Sequence, residues 1–173
     1  GDHGITIGKI AALIQEKVSQ WEEAQDIKSF LDDLGMAIME VRGGSAGPLY
    51  GTLIGGLGVD LNDGENTLEA EGVKRMFTGC LSEMEDITTA KVGDKTMMDA
   101  PIPTVEAAQK TEGSVKDILE AAARAAENGA KDSEKYVSKF GRARSYKEQT
   151  IGTPDAGAVS TSIFIRGLSD GMK

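Results

Sequence analysis

The chain carries a single cysteine, Cys80, so no internal disulfide can form and the cytoplasm is the expected compartment. Cys80 falls in an apolar helical pattern and reads as a small core residue. No apolar run approaches the roughly 20 residues that span a bilayer, which disfavours a membrane protein. Cations are also in short supply. The 19 Lys and Arg stand against 28 Asp and Glu, a net charge of −9. Nucleic acid is bound by neutralising phosphates with clustered basic side chains, so neither nucleic acid nor an anionic membrane surface is an expected partner. The acidic surplus serves solubility and suits a site that collects divalent cations. Strand signals are scarce, aromatics make up only 5% of residues, and no internal repeat or low-complexity linker interrupts the chain. No Ser-His-Asp or Cys-His arrangement offers a nucleophile.

What the sequence does contain is helical periodicity. Ile7, Ile10, Ile14 and Val18 mark one helix face; Ile27, Phe30, Leu31, Leu34, Ile38 and Val41 mark another; Val73, Met76, Phe77, Cys80, Leu81 and Met84 a third. "DILEAAARAAENGAKDSEKYV" is rich in strong helix formers, with Asn128-Gly129 as a C-terminal stop. The last stretch, "DAGAVSTSIFIRGLSDGMK", reads as a helix capped by Asp155. A chain of 173 residues is long enough for one domain with a sizeable core. The expectation is therefore a single all-α domain over residues 1–173, an up-and-down antiparallel bundle of seven or so helices.

Four stretches break the pattern and are expected between helices: "GDHG", "RGGSAGPLYGT", "KVGDKTMMDAPIP" and "GRARSYKEQTIGTPDAGA". In such a bundle alternate loops meet at one end, so distant loops can build one site. "RGGSAG" leads into a helix beginning near Pro48. Its glycines admit backbone N–H groups to a phosphate, although it lacks the P-loop pattern and reads equally as a tight turn between packed helices. Gly51, Gly55, Gly56 and Gly58 continue into that helix at a cost in stability, which points to close backbone approach. Asp94-Lys95 reads either as a helix cap with a solvated lysine or as the hinge of a nucleotide pocket with Met97 against the base. Arg142 and Arg144 are either surface charge or bidentate phosphate ligands. Asp2 and His3 read as a cap, or as one share of a hard-cation site.

In this order the four stretches resemble the nucleotide-binding (L) subunit family of dihydroxyacetone kinase, and the resemblance spans essentially the whole chain. "GRARSYKEQTIGTPDAGA" is similar to the family's Gly-Arg-Ala-Ser-Tyr and Asp-Pro-Gly-Ala run, with Arg144 as an extra residue and Ala156 in place of proline. The resemblance implies an all-α barrel of antiparallel helices with the nucleotide site in loops at one end. It also implies two Mg²⁺ ions held by an Asp-x4-Asp-x-Asp-His-Gly motif, in which Asp2 matches the third aspartate. The chain is thus expected to begin inside that motif, without the preceding helix and the first two aspartates.

Carried over residue by residue, the contacts to ADP or ATP fall on His3, Gly4, Ile5 and Thr6, on Gly44, Ser45 and Ala46, on Met97, on Arg142, and on Asp155, Ala156 and Gly157. Thr88 is a looser match. Thr6 stands where Asn is common, and Ser45-Ala46 where Ala-Ser or Thr-Ser is common, so the hydroxyl is displaced by one position. The implied reaction is phosphoryl transfer to the terminal hydroxyl of a small ketose held on a separate K subunit. The donor is either ATP or a phosphohistidine (M) subunit of the sugar phosphotransferase system; "GGSAGPLYGT" leans toward the latter. Two other readings stand beside this one: a related domain acting on another acceptor, as in fatty acid kinase, and a non-catalytic helical binding module.

Overall fold

The computed structural model describes residues 2–172; Gly1 and Lys173 lie outside the described residues. Among the described residues there are seven α-helices and no strand, as the all-α reading expects. By internal contacts the chain falls into two compact units, one ending at Thr88 and the other beginning at Thr89.

The first unit contains α1 (Asp2–Ser19), α2 (Ile27–Met39), α3 (Ala46–Val59) and α4 (Ala70–Ile87). Asp26 starts α2 by accepting from Ser29 N at 2.6 Å, and its other oxygen accepts from Gly64 N at 3.1 Å. Helix α3 is apolar on nearly every side, and such a helix belongs in the interior. Its Tyr50, Leu53, Ile54 and Leu57 are buried, and it packs against both α2 and α4. The α3 glycines make that position possible. A Cβ on Gly35 of α2 would lie 2.7 Å from Gly55 Cα and 2.8 Å from Gly51 O. On the α4 side, a Cβ on Gly79 would lie 2.9 Å from Gly56 O.

The register is antiparallel, because Gly58 lies beside Leu31 and Lys28 while Gly47 lies beside Ile38 and Met39. Phe77, Ile38, Ile54 and Met84 are among the most fully buried side chains, and removing each from water is worth about 1.5–3 kcal/mol. Cys80 is buried there too, and burial pushes its thiol up to about 12.

The second unit contains a 3₁₀ turn (Met97–Asp99), α5 (Pro101–Lys110), α6 (Val115–Asp132) and α7 (Ala156–Asp170), with further 3₁₀ turns at Ser133–Lys135 and Arg142–Thr150. A reciprocal cap starts α6: Ser114 Oγ accepts from Asp117 N, and Asp117 accepts from Ser114 N. The alanine-rich face is buried at Ala122, Ala123 and Ala126. Helices α6 and α7 run antiparallel, tied by Arg166, which donates to Glu127 at 2.8 Å and to Glu120 at 2.6 Å.

Two expectations need correction here. Helix α6 does not stop at Asn128-Gly129 but continues to Asp132. Gly129 is instead a packing residue: a Cβ there would fall 1.9 Å from the carbonyl oxygen of Asp99. And "GDHG" does not precede α1, because Asp2, His3 and Gly4 form its first turn.

Candidate functional site

In the first unit, Thr6 joins two of the expected stretches. It is 2% exposed, and its hydroxyl lies 3.0 Å from the Asp2 carbonyl and 3.2 Å from that of Gly43. Gly43 has φ +147°, and a Cβ there would fall 2.1 Å from Thr6 Oγ1, so a side chain at that position is both strained and crowded. Gly44, at φ +64°, takes the left-handed conformation that glycine adopts freely. Ser45 follows as N-cap of α3 and makes no side-chain cap bond, and Ala46 is buried.

The first turn of α1 and the glycine turn are thereby held together, with Asp2, Gly44 and Ser45 exposed and His3 half-buried. Ile5 is exposed, and a Cβ on Gly4 would point into open space. Helix α3 begins at Ala46, close to the expected start near Pro48. Its first amides have no intrahelical acceptor, and a helix N-terminus is a ready anion site.

Asp2 contributes one carboxylate. Among the described residues no group of three or more His, Cys, Asp or Glu side chains gathers into a metal-binding set. A hard divalent cation such as Mg²⁺ takes one or two protein carboxylates, with phosphate oxygens and water completing its shell. Asp2 fits a share of that set and not the whole.

Thr88 is the C-cap of α4, its N–H donating to Met84 O at 3.1 Å.

In the second unit, an open cleft of about 410 Å³ is lined by Lys95, Ser138, Ala143, Tyr146, Gln149, Thr150 and Thr153 through Ala156. Met97 is buried and meets Gly157 closely, since a Cβ on Gly157 would lie 2.9 Å from that of Met97. Asp155 caps α7 by accepting from Ala158 N at 2.9 Å, and its own N–H donates to Ser133 Oγ at 2.8 Å. Met97, Asp155, Ala156 and Gly157 are thus brought together. Arg142 is exposed at the start of the 3₁₀ segment Arg142–Thr150. It lies outside the lining of the cleft, although its neighbour Ala143 is part of it.

The Asp94-Lys95 expectation fails in detail. The cap of the 3₁₀ turn is Thr96, whose hydroxyl accepts from Met98 N while Asp99 accepts from Thr96 N at 2.7 Å. Lys95 is not solvated but 6% exposed. Its Nζ donates to Ser133 O at 2.8 Å and to Thr153 O at 2.5 Å. Asp99 is fully buried and also accepts from Gly93 N at 2.7 Å. Burial pushes its carboxyl above the ordinary range, and the nearby Asp155 and Asp94 add to the effect. The Thr96-x-x-Asp99 spacing of a capping box was available in the sequence as a signal for this arrangement. Nothing local announces that Lys95 turns inward.

Over residues 1–170 the chain matches the DAK2 domain, and it belongs to that family. It is 30% identical to the ADP-binding subunit DhaL of the PEP-dependent dihydroxyacetone kinase of Escherichia coli, over 97% of this chain and 80% of that protein. A second DhaL, from Listeria innocua, is also 30% identical, over 100% of this chain and 81% of its own length. The L-erythrulose kinase of Pectobacterium atrosepticum is 31% identical over 98% of this chain, which spans only 29% of that protein. No helix among the described residues is long and apolar enough to cross a membrane.

Proposed function

We propose that this chain is the nucleotide-binding part of a small-ketose kinase, taking ADP or ATP with Mg²⁺. The observation that carries the reading is the Thr6–Gly43 junction, which holds the first turn of α1 beside the glycine turn and the start of α3 in a chain of the DAK2 family. Its relatives named as ADP-binding subunits of dihydroxyacetone kinase support the nucleotide. Those named as erythrulose kinases support a ketose acceptor.

In this reading Gly44, Ser45, Ala46, His3 and Gly4 receive phosphate oxygens through backbone N–H groups and the Ser45 hydroxyl, with Ile5 beside them and Thr6 holding the two stretches together. Within the second unit, Met97 and the Asp155–Gly157 turn are the positions that match the family's nucleotide contacts, and Arg142 supplies a guanidinium suited to negative charge. Asp2 would hold Mg²⁺, which when bound neutralises phosphate charge. Phosphoryl transfer needs positioning and charge neutralisation more than a protein nucleophile, and these residues supply both.

The ketose is held elsewhere, on a K subunit or on another part of a longer protein, and an M subunit or ATP provides the phosphate. The "PEP-dependent" relatives favour the phosphohistidine route. The test is formation of ketose phosphate from dihydroxyacetone and from erythrulose, with the sugar-holding partner supplied. Asp2→Asn should abolish most turnover without loss of helical circular dichroism, because a neutral amide cannot replace the metal-binding charge. An active Asp2→Asn protein would remove Asp2 from the metal set.

A further inference from the structure

Asp94 and Lys95, adjacent in sequence, tie down the two ends of one excursion of the second unit. Asp94 holds its start: Lys139 N donates to the Asp94 carbonyl at 3.1 Å, and Lys139 Nζ pairs with Asp94 Oδ1 at 2.6 Å. Lys95 holds its end, donating to Thr153 O at 2.5 Å. Between these ends lie the exposed residues Arg142 to Gln149, three of which, Ala143, Tyr146 and Gln149, line the cleft.

Lys95 is also unusual in itself. It is one of two described non-glycine residues with positive φ, at +57°, a conformation that side-chain-bearing residues adopt only a few per cent of the time. A lysine normally extends its ammonium group to water, and a buried cation is expensive unless paired or hydrogen-bonded. Here the ammonium group has no carboxylate partner among the described residues; it is held by two backbone carbonyls, those of Ser133 and Thr153.

We propose that Lys95 is a positioning residue for nucleotide binding, an inference that rests on the reading above. The left-handed turn aims its side chain inward, where it locks the Thr153 loop against the end of α6. That loop leads directly into Asp155, whose N–H is bonded to the side chain of Ser133, the residue whose carbonyl Lys95 also engages. Two residues after Lys95 comes Met97, the first residue of the 3₁₀ turn, against which Gly157 packs. Lys95 therefore sets the spacing between Met97 and the start of α7, two walls that the nucleotide is proposed to touch.

The test compares three forms of the chain in ADP calorimetry and thermal melting: the wild type, Lys95→Met, and Lys95→Cys alkylated with 2-bromoethylamine to rebuild an ammonium group of nearly the same reach. Position 95 is buried like Cys80, so alkylation is carried out on the unfolded chain in a Cys80→Ala background shared by all three forms, and the protein is refolded before titration. Lys95→Met should bind ADP at least ~10-fold more weakly, the loss expected for hydrogen bonds to a charged group. The alkylated form should recover wild-type affinity, with all three forms folded. A Lys95→Met chain that binds ADP as the wild type does overturns the proposal and leaves the nucleotide reading intact. If Lys95→Met and the unalkylated Lys95→Cys precursor are both unfolded by circular dichroism, the lysine holds the fold and not the site, which also overturns it. A wild type that ignores ADP removes the nucleotide reading itself.

Discussion

The Thr6 hydroxyl occupies the space that a Cβ on Gly43 would need, and lies 3.2 Å from the Gly43 carbonyl oxygen. One residue thus excludes side chains from the turn and anchors its backbone. Thr6→Val keeps the shape and deletes the hydroxyl, and should cost about 1 kcal/mol in urea unfolding, the usual net value of one hydrogen bond. Gly43→Ala should cost more, since it adds both a clash and an unfavourable φ. Part of that cost should return in the Thr6→Ala, Gly43→Ala double variant, because the two sites share the same space.

Two helical glycines stand at opposite extremes of the space available to a methyl group. Gly35→Ala places Cβ 2.7 Å from Gly55 Cα, and should destabilise by about 1–3 kcal/mol through overpacking. Gly167 has nothing within 4 Å of its ideal Cβ position and sits inside α7. Gly167→Ala should therefore stabilise, by up to about 1 kcal/mol from helix propensity. Thermal melting of the two variants should move in opposite directions.

Acid stability should depend on the α6–α7 ion pairs. Hydrogen bonds from Arg166, then Arg124 and Ser169, pull Glu120 down from an ordinary 4.5 to about 2, and Arg166 also lowers Glu127. A carboxylate depressed in the folded state contributes stability that is fully present above its unfolded pKa. That contribution is lost as pH falls from about 4.5 toward about 2. Denaturant midpoints measured across that window should fall in the wild type, and fall less steeply in Arg166→Met. Equal slopes would show that Arg166 does not set the titration of these carboxylates.

Cys80 should be silent toward thiol reagents in the native protein. Its thiol is buried and pushed up to about 12, so at neutral pH almost no thiolate is available, and the thiolate is the reactive form. Labelling with an aromatic disulfide should appear only on unfolding, at a rate that reports opening of the first unit's core. Immediate labelling would contradict the burial.

Much of this architecture is legible in the sequence because it follows from periodicity. The faces of α2 and α4, the Asp155 cap and the glycines of α3 all follow from spacing and the cost of glycine in a helix. Gly129 and Lys95 do not, and for one shared reason. Asn-Gly resembles a stop and Asp-Lys a solvated cap when only neighbours are considered. Their actual roles depend on Asp99 O, Ser133 O and Thr153 O, groups remote in sequence. Of the candidate site, the clustering of Thr6 with the glycine turn and of Met97 with Gly157 rests on the same kind of remote contact. The family resemblance supplied those residues, and spacing alone did not.

The central claim is that this chain binds a nucleotide together with magnesium. Calorimetric titration of ADP into the complete protein carrying this domain, with Mg²⁺ and again with chelator, tests it most directly. The account predicts saturable binding that weakens sharply when magnesium is removed and weakens again in Arg142→Ala. ADP binding that is absent, or that is indifferent to chelator, would contradict it.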